Sequence, residues 1–274
     1  IKCYANAWFA GAKKPEEFAT MAKIAVKNGF SGLKWDPFGK EYMHIAPKEL
    51  HEALDCIAAV KDAVGNQVHL IIEGHGRFNI PTAVRIGNAL KEFDILWFEE
   101  PIPPDDKKGL AWVRSKIDTP VSGGERLYSR WEYLDFLRME CADFWQPDVS
   151  HAGGISEVRK IAAMAEAHHI AVCPHNPSGP VANAATLQLA ACMPNFYLLE
   201  TMATDIPYRK DITTEVVRFE NSEMFIPDKP GLGLDINEEE IAKHPYECRN
   251  LRHYEGTLTD IRPAGEAVGG YFQK

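Results

Sequence analysis

Seven ionisable positions recur at the ends of short apolar runs: Lys34 (with Asp36 close behind), Glu73, Glu99, Glu125, Asp148, His175 and Glu200. Their separations of 39, 26, 26, 23, 27 and 25 residues are each close to one strand-plus-helix unit. Three consecutive units carry the carboxylates of Glu73, Glu99 and Glu125. Crowded together, three such groups repel one another and take up protons unless a cation neutralises them. Hard oxygen ligands suit Mg²⁺, which keeps positions open for water or substrate. Ca²⁺ is disfavoured because no EF-hand-type loop is present. Asp148 and His175 end the next two units, where a carboxylate–imidazole hydrogen bond would fix the tautomer and make His175 a general base. Lys34 sits in the apolar run Leu33-Lys34-Trp35, where an unpaired charge is costly, and supplies positive charge beside the metal.

The elements that must position these groups form a repeating pattern. Candidate strands at 1–6, 31–36, 68–73, 95–99, 120–125, 143–148, 170–175 and 196–200 alternate with helix-like segments. The latter lie near 15–28, 47–64, 80–92, 107–116, 129–139, 154–168 and 180–192. Start signals include Pro15 before Glu16-Glu17, Pro47 before Glu49, and Ser129 before Glu132. Strands separated by helices pair in parallel, and eight of them close into a barrel whose strand C-termini share one face. A doubly wound open sheet is the rival, but it gives no reason for the series of polar strand ends.

Composition narrows the function classes. The chain has 274 residues, 45% of them hydrophobic, and a net charge of −9; its mean hydropathy is −0.27. The negative balance argues against nucleic acid or an anionic membrane as partner. No apolar run approaches the roughly 20 residues of a membrane span. Cys3, Cys56, Cys141, Cys173, Cys192 and Cys248 are scattered without a Cys-x-x-Cys pair, which fits reduced thiols in a cytoplasmic protein rather than disulfides or zinc. Gly231-Leu232-Gly233 lacks the strand–turn–helix setting of a dinucleotide site, and Asn176-Pro177-Ser178-Gly179 is not a nucleophile elbow. Arg209, Arg249 and Arg252 in the charged tail are candidate substrate contacts, with no basis for choosing among them.

The ordered stretches Gly32-Leu33-Lys34-Trp35-Asp36, Ile72-Glu73-Gly74-His75-Gly76-Arg77, Trp97-Phe98-Glu99-Glu100-Pro101, Gly123-Gly124-Glu125, Gln146-Pro147-Asp148, Gly153-Gly154, Pro174-His175 and Leu199-Glu200 resemble the barrel domain of the enolase superfamily, in its mandelate racemase-like branch. The resemblance spans about residues 1–240, including the late Pro230-Gly231-Leu232-Gly233. It implies a TIM-type (β/α)7β barrel over 1–200. It also implies a last barrel helix and C-terminal extension over 201–274, packing on an N-terminal α+β capping domain. Ile1 already begins the first expected barrel strand, so that domain is expected to be missing and the chain to be a fragment of a longer, homo-oligomeric protein. The same resemblance makes Glu73, Glu99 and Glu125 the Mg²⁺ ligands. His175, oriented by Asp148, would abstract the proton α to a substrate carboxylate, with Lys34 and Glu200 stabilising or orienting the resulting ene-diolate. Glu100 is expected to hold a neighbouring charge, since adjacent strand residues face opposite ways.

Two departures narrow the reaction. Racemases of this branch end the second strand with Lys-x-Lys, whereas Lys34-Trp35-Asp36 has no second lysine, so elimination is favoured over racemisation. Asp36 is expected either to pair with Lys34 or to bind a substrate hydroxyl. His75 follows Glu73 by two residues, so strand alternation would turn it into the site. The Glu-x-His pattern resembles that of galactonate dehydratase-like members, where the histidine is the general acid for a departing hydroxyl. The expected function is a Mg²⁺-dependent dehydratase of a sugar acid (aldonate) such as galactonate, gluconate or a pentonate, giving a 2-keto-3-deoxy product. A cycloisomerase or racemase of the same superfamily is the alternative, and a non-catalytic barrel is the alternative of another class.

Overall fold

Eight strands, each followed by its crossover except the last, account for the first 202 residues; the computed structural model describes residues 1–246. Strands β1 (Cys3–Asn6), β2 (Gly32–Trp35), β3 (His69–Glu73) and β4 (Trp97–Glu99) alternate with helices α1 (Pro15–Lys27), α2 (Pro47–Val64), α3 (Ile80–Leu90) and α4 (Lys107–Arg114). The second half continues with β5 (Val121–Gly123), α5 (Arg130–Arg138), β6 (Phe144–Trp145), α6 (Ile155–Glu166), β7 (Ala171–Val172), α7 (Pro180–Ala190) and β8 (Leu199–Met202). The strands lie in the order β7-β6-β5-β4-β3-β2-β1-β8, every neighbouring pair parallel. A parallel bridge from Val172 to Phe196 links β7 to the segment entering β8, which brings the two ends of that order together. The architecture is the TIM-type barrel expected from the βα repeat.

The helices form where the sequence starts them and faces them. Asn79 caps α3 by accepting from the Thr82 amide, and Asp106 caps α4 by accepting from the Gly109 amide; each cap is worth about 1 kcal/mol. On α3 the buried residues Thr82, Ala83, Ile86, Gly87 and Leu90 trace one helical face. Such faces cover the outward side chains of the strands, among them Ala5, Leu33, Trp35, Leu70, Ile72, Phe98, Val121, Trp145 and Val172, in one continuous core. Fully burying one of the larger apolar side chains contributes roughly 1.5–3 kcal/mol.

Alternate strand positions point inward instead. Tyr4, Ile71, Trp97, Cys173 and Leu198 form a separate buried cluster inside the barrel, with Leu96 and Phe144 packed against it. Tyr4 meets Trp97 edge-on at 5.7 Å between ring centroids, and Trp97 lies 4.9 Å from Phe144. Gly32 is the small residue that admits Tyr4: a Cβ there would lie 2.8 Å from the Tyr4 Cβ.

Several strands are shorter than the apolar runs suggest. The run at 143–148 yields only Phe144–Trp145, and that at 170–175 only Ala171–Val172. Pro147 and Pro174 follow closely and have no N–H to give to a ladder. Asp148 and His175 therefore stand on the loops just beyond β6 and β7 rather than on the strands, and Glu125 likewise lies past the end of β5 at Gly123.

After β8 the chain forms a 3₁₀ turn at Pro207–Asp211, a two-stranded antiparallel hairpin of β9 (Phe219–Glu220) and β10 (Glu223–Met224), and the four-residue α8 (Glu238–Ile241). Residues 201–246 contain no longer α-helix, and the remainder of the expected extension, with Arg249, Arg252 and Cys248, lies outside the described residues. The hairpin straps the start of β1: the Met224 amide donates to the Ile1 carbonyl at 2.9 Å and the Cys3 amide to the Ser222 carbonyl at 2.7 Å. Cys3, Cys56, Cys141 and Cys173 are buried free thiols and Cys192 an exposed one. Among the described residues no helix is long and apolar enough to cross a membrane.

Candidate active site

Two residues beyond the apolar interior cluster, the inward positions turn polar. Tyr4 is followed by Asn6, Ile71 by Glu73, Trp97 by Glu99, Phe144 by Gln146, Cys173 by His175 and Leu198 by Glu200, and Gly32 by Lys34. Strand alternation thus delivers a ring of polar groups at the C-terminal mouth of the barrel. Glu73 and Glu99 are direct register partners on β3 and β4. Glu125 arrives from the turn after β5, where Gly124 adopts φ +122°, a conformation open mainly to glycine. A Cβ at Gly124 would also lie 2.5 Å from the Tyr133 hydroxyl, which donates to the Gly124 carbonyl.

One oxygen from each of Glu73, Glu99 and Glu125 can be chosen so that all three lie within 4.8 Å of one another. This is a compact, hard, all-oxygen donor set of the kind a divalent cation takes. Glu99 is wholly buried, and burial together with the Glu73 charge raises its carboxyl to about 8. Lys34 relieves part of that crowding. Its buried ammonium lies 2.7 Å from Glu99 Oε1, 3.0 Å from Glu200 Oε1 and 3.3 Å from Glu73 Oε2. Burial works against the Lys34 charge, but Glu200 and Glu99 outweigh it and hold the ammonium well above its ordinary range. Burial likewise disfavours the Glu200 anion, and Lys34 with His175 overrides it, taking the carboxyl down to about 2. Glu200 also accepts from the Asn6 side chain at 2.6 Å and from the Asn176 amide at 3.0 Å.

Asp148 and His175 form the expected pair, Oδ2 to Nδ1 at 2.7 Å, with the second Asp148 oxygen accepting from the Ser150 amide at 2.6 Å. His175 Nε2 lies 3.3 Å from Glu125 Oε2. Burial disfavours the imidazolium, but Glu125 and Glu200 outweigh it and raise the ring to about 10. Positive charge among those carboxylates would return the ring towards the neutral form a base needs.

His75 reaches the site by a different route from the one strand alternation suggests. β3 ends at Glu73, and His75 has φ 51° in the turn that follows. Its amide donates to Glu73 Oε1 at 2.7 Å, and its Nδ1 lies 2.6 Å from Asp36 Oδ2. Asp36 does not pair with Lys34. Its Oδ2 faces His75 and accepts from Arg77 Nη2 at 2.6 Å, while Oδ1 accepts from the Phe38 amide at 2.9 Å. Burial disfavours the His75 imidazolium too, and Glu73 ahead of Asp36 raises it to about 9.

Glu100 turns away from the carboxylate cluster to Arg126, whose Nε donates to Oε2 at 2.8 Å. Three side chains without an assigned role in the sequence also enter the network. Gln146 donates to Glu99 Oε2 at 2.7 Å, Asn6 holds Glu200, and the wholly buried Arg77 holds Asp36. The inward step of two residues from each apolar interior position is a signal that finds Asn6 and Gln146. Arg209 binds the carbonyl of Pro177 at 2.9 Å, next to the His175 loop, and pairs with Asp205.

Known proteins resemble this chain over most of its length. Residues 17–240 match the family model for enolase C-terminal domain-like proteins. A D-gluconate dehydratase of Thermoproteus tenax is 38% identical over 245 residues, which cover 89% of this chain and 49% of that protein. A D-gluconate/D-galactonate dehydratase of Picrophilus torridus is 33% identical over 90% of this chain and 63% of that protein. The crystal structure of an enolase superfamily member from Salmonella Typhimurium has a TM-score of 0.85 at 29% identity, covering 89% of this chain and 68% of that one. The chain thus spans about half to two thirds of the curated relatives it matches. With the family model covering most of its length and the barrel delivering three clustered carboxylates, the chain belongs to the enolase C-terminal domain-like family.

Proposed function

We propose that this barrel carries the catalytic site of a Mg²⁺-dependent sugar acid (aldonate) dehydratase. The observation that carries the reading is the second imidazole. β3 and β7 stand four strands apart in the strand order, so the turns that carry His75 and His175 leave the barrel on opposite sides. Two opposed proton-transfer groups suit the loss of a C2 proton and a C3 hydroxyl from opposite faces of a substrate.

Glu73, Glu99 and Glu125 are the residues that would hold Mg²⁺, which when bound supplies Lewis-acid stabilisation of charge developing on a substrate carboxylate. His175 takes the C2 proton on Nε2, while Asp148 holds Nδ1–H and so sets the tautomer. The C2–H electrons move into the carboxylate to give an ene-diolate. Lys34 places a fixed positive charge beside it, and Glu200, anchored by Asn6 and the Asn176 amide, keeps that ammonium in place. His75 gives its Nε2 proton to the C3 hydroxyl, which leaves as water with the C3–O electron pair. The enol that remains tautomerises to a 2-keto-3-deoxy acid. Racemisation is disfavoured because the position of a second base is held by Asp36, already engaged with His75 and Arg77.

The test is to incubate the protein with Mg²⁺ and a panel of hexonates and pentonates and follow the products by NMR. A 2-keto-3-deoxy acid from at least one aldonate is expected. A cyclised or ring-opened isomer would assign a cycloisomerase instead, and C2 inversion without water loss a racemase.

A further inference from the structure

The two His–Asp pairs are built alike. In each, an aspartate just past one strand accepts a backbone amide two residues on through Oδ1, and an imidazole Nδ1 from just past the next strand faces its Oδ2. Asp36 does this with Phe38 and His75, and Asp148 with Ser150 and His175. The pairs differ in what else holds the aspartate. Asp148 has the Ser178 hydroxyl at 3.4 Å and the His151 amide at 3.3 Å, whereas Asp36 has the guanidinium of Arg77 at 2.6 Å.

Arg77 is wholly buried, and among the described residues its guanidinium bonds to three groups. Nη2 donates to Asp36, Nη1 to the Gly39 carbonyl at 2.7 Å, and Nε to the Gly74 carbonyl at 3.2 Å. Its main chain joins the same two segments: the Met43 amide donates to the Arg77 carbonyl at 2.9 Å, and the Asn79 amide to the Met43 carbonyl at 3.0 Å. This matters because Asp36 begins a stretch without an α-helix until Pro47, and His75 sits in a turn with positive φ. Neither group is held by a strand ladder, so both need another anchor.

We propose that Arg77 is a positioning residue, a clamp that fixes Asp36 and through it the His75 ring, with Nδ1 committed to Asp36. A planar guanidinium can satisfy one carboxylate and two carbonyls at once, which a lysine ammonium on a flexible stem cannot do with the same geometry. The catalytic consequence, but not the clamp itself, rests on the dehydratase reading. If His75 delivers the proton to the leaving hydroxyl, loosening the clamp impairs water loss and leaves C2 proton abstraction by His175 intact.

The experiment uses Arg77→Met, Arg77→Lys and Asp36→Asn in the whole chain, with two readouts. In the metal-free protein, ¹H–¹⁵N NMR follows the His75 Nδ1–H proton, assigned by its loss in His75→Gln. A slowly exchanging downfield signal is expected in the wild type, absent in Arg77→Met and Asp36→Asn, and weakened in Arg77→Lys. With Mg²⁺ and an accepted aldonate, Arg77→Met is expected to slow dehydration about 10–100-fold. C2 deuterium exchange should stay within about two-fold of wild type. Persistence of the His75 signal in Arg77→Met overturns the clamp, as does an equal fall of exchange and dehydration in all three variants. A wild type that dehydrates no aldonate yet shows the Arg77-dependent signal overturns the dehydratase reading and supports the clamp.

Discussion

The inside of this barrel has two layers that differ by a single step of two residues along the same strands. The lower layer, Tyr4, Ile71, Trp97, Cys173 and Leu198, is apolar and wholly or almost wholly buried. The upper layer, Asn6, Lys34, Glu73, Glu99, Gln146, His175 and Glu200, packs five ionisable groups into almost the same depth. Wholly buried ionisable groups are costly unless paired, so the upper layer is stable only as a network in which each charge answers another. The floor contributes folding free energy and the rim consumes some of it to keep reactive groups in place.

The largest effects that would break this contrast lie at the rim. His175→Asn should lower both C2 exchange and dehydration by about 10²–10⁴-fold; full dehydration by this variant would remove His175 as the base. His75→Asn should slow dehydration by about 10²-fold and spare C2 exchange, so equal losses in both reactions would remove its separate role. The third effect is on stability against pH. Glu99, His75 and His175 all have folded-state pKa values above their ordinary ones, at about 8, 9 and 10. Groups raised in this way stabilise the fold fully below their unfolded pKa, and that stability is lost as pH rises through the folded value. The metal-free chain should therefore lose thermal stability from about pH 4.5 to 10, the window from the ordinary Glu value to the raised His175 value. Glu200, lowered to about 2, acts oppositely, its contribution fading as pH falls below about 4.5. Mg²⁺ should raise the melting temperature more at pH 8 than at pH 5. A gain independent of pH, measured by thermal unfolding in EDTA and in Mg²⁺, would count against the carboxylate cluster as its site.

Smaller effects sharpen the same contrast from below. Ile71→Val should cost about 0.5–1.5 kcal/mol of stability in denaturant unfolding and leave rates per folded molecule unchanged, as befits a floor residue. Ser122 faces inward from β5, fully buried, with its hydroxyl lacking a hydrogen-bond partner. Ser122→Ala should change stability by less than about 1 kcal/mol, towards greater stability, and leave both rates unchanged. A loss of activity there would place Ser122 among the working groups.

Much of the rim was legible in the sequence because barrel geometry converts spacing into position. Polar residues one βα unit apart must meet at one end, and Glu73, Glu99, Glu125, Asp148, His175 and Glu200 do meet there. Periodicity says which face a residue occupies, but not which distant loop folds over it. Asp36 illustrates the limit. Its partners, His75 and Arg77, lie 39 and 41 residues away in sequence on another turn, and nothing local distinguishes them from Lys34 as a partner. His75 shows a second limit. Its inward position followed from strand alternation in the sequence, yet the strand has ended and a positive-φ turn places it. The prolines at 147 and 174 shortened strands whose apolar character alone gave no sign of stopping.

The packed floor has one further consequence, for traffic. With Tyr4, Ile71, Trp97, Cys173 and Leu198 filling the lower interior, the site is closed from below. Under the dehydratase reading, reactant, expelled water and product share the doorway at the strand C-termini, so arrivals and departures take turns. Under the dehydratase reading, His175 gains one hydrogen nucleus per cycle and His75 gives one up. Solvent at that doorway is the route by which the two imidazoles are reset.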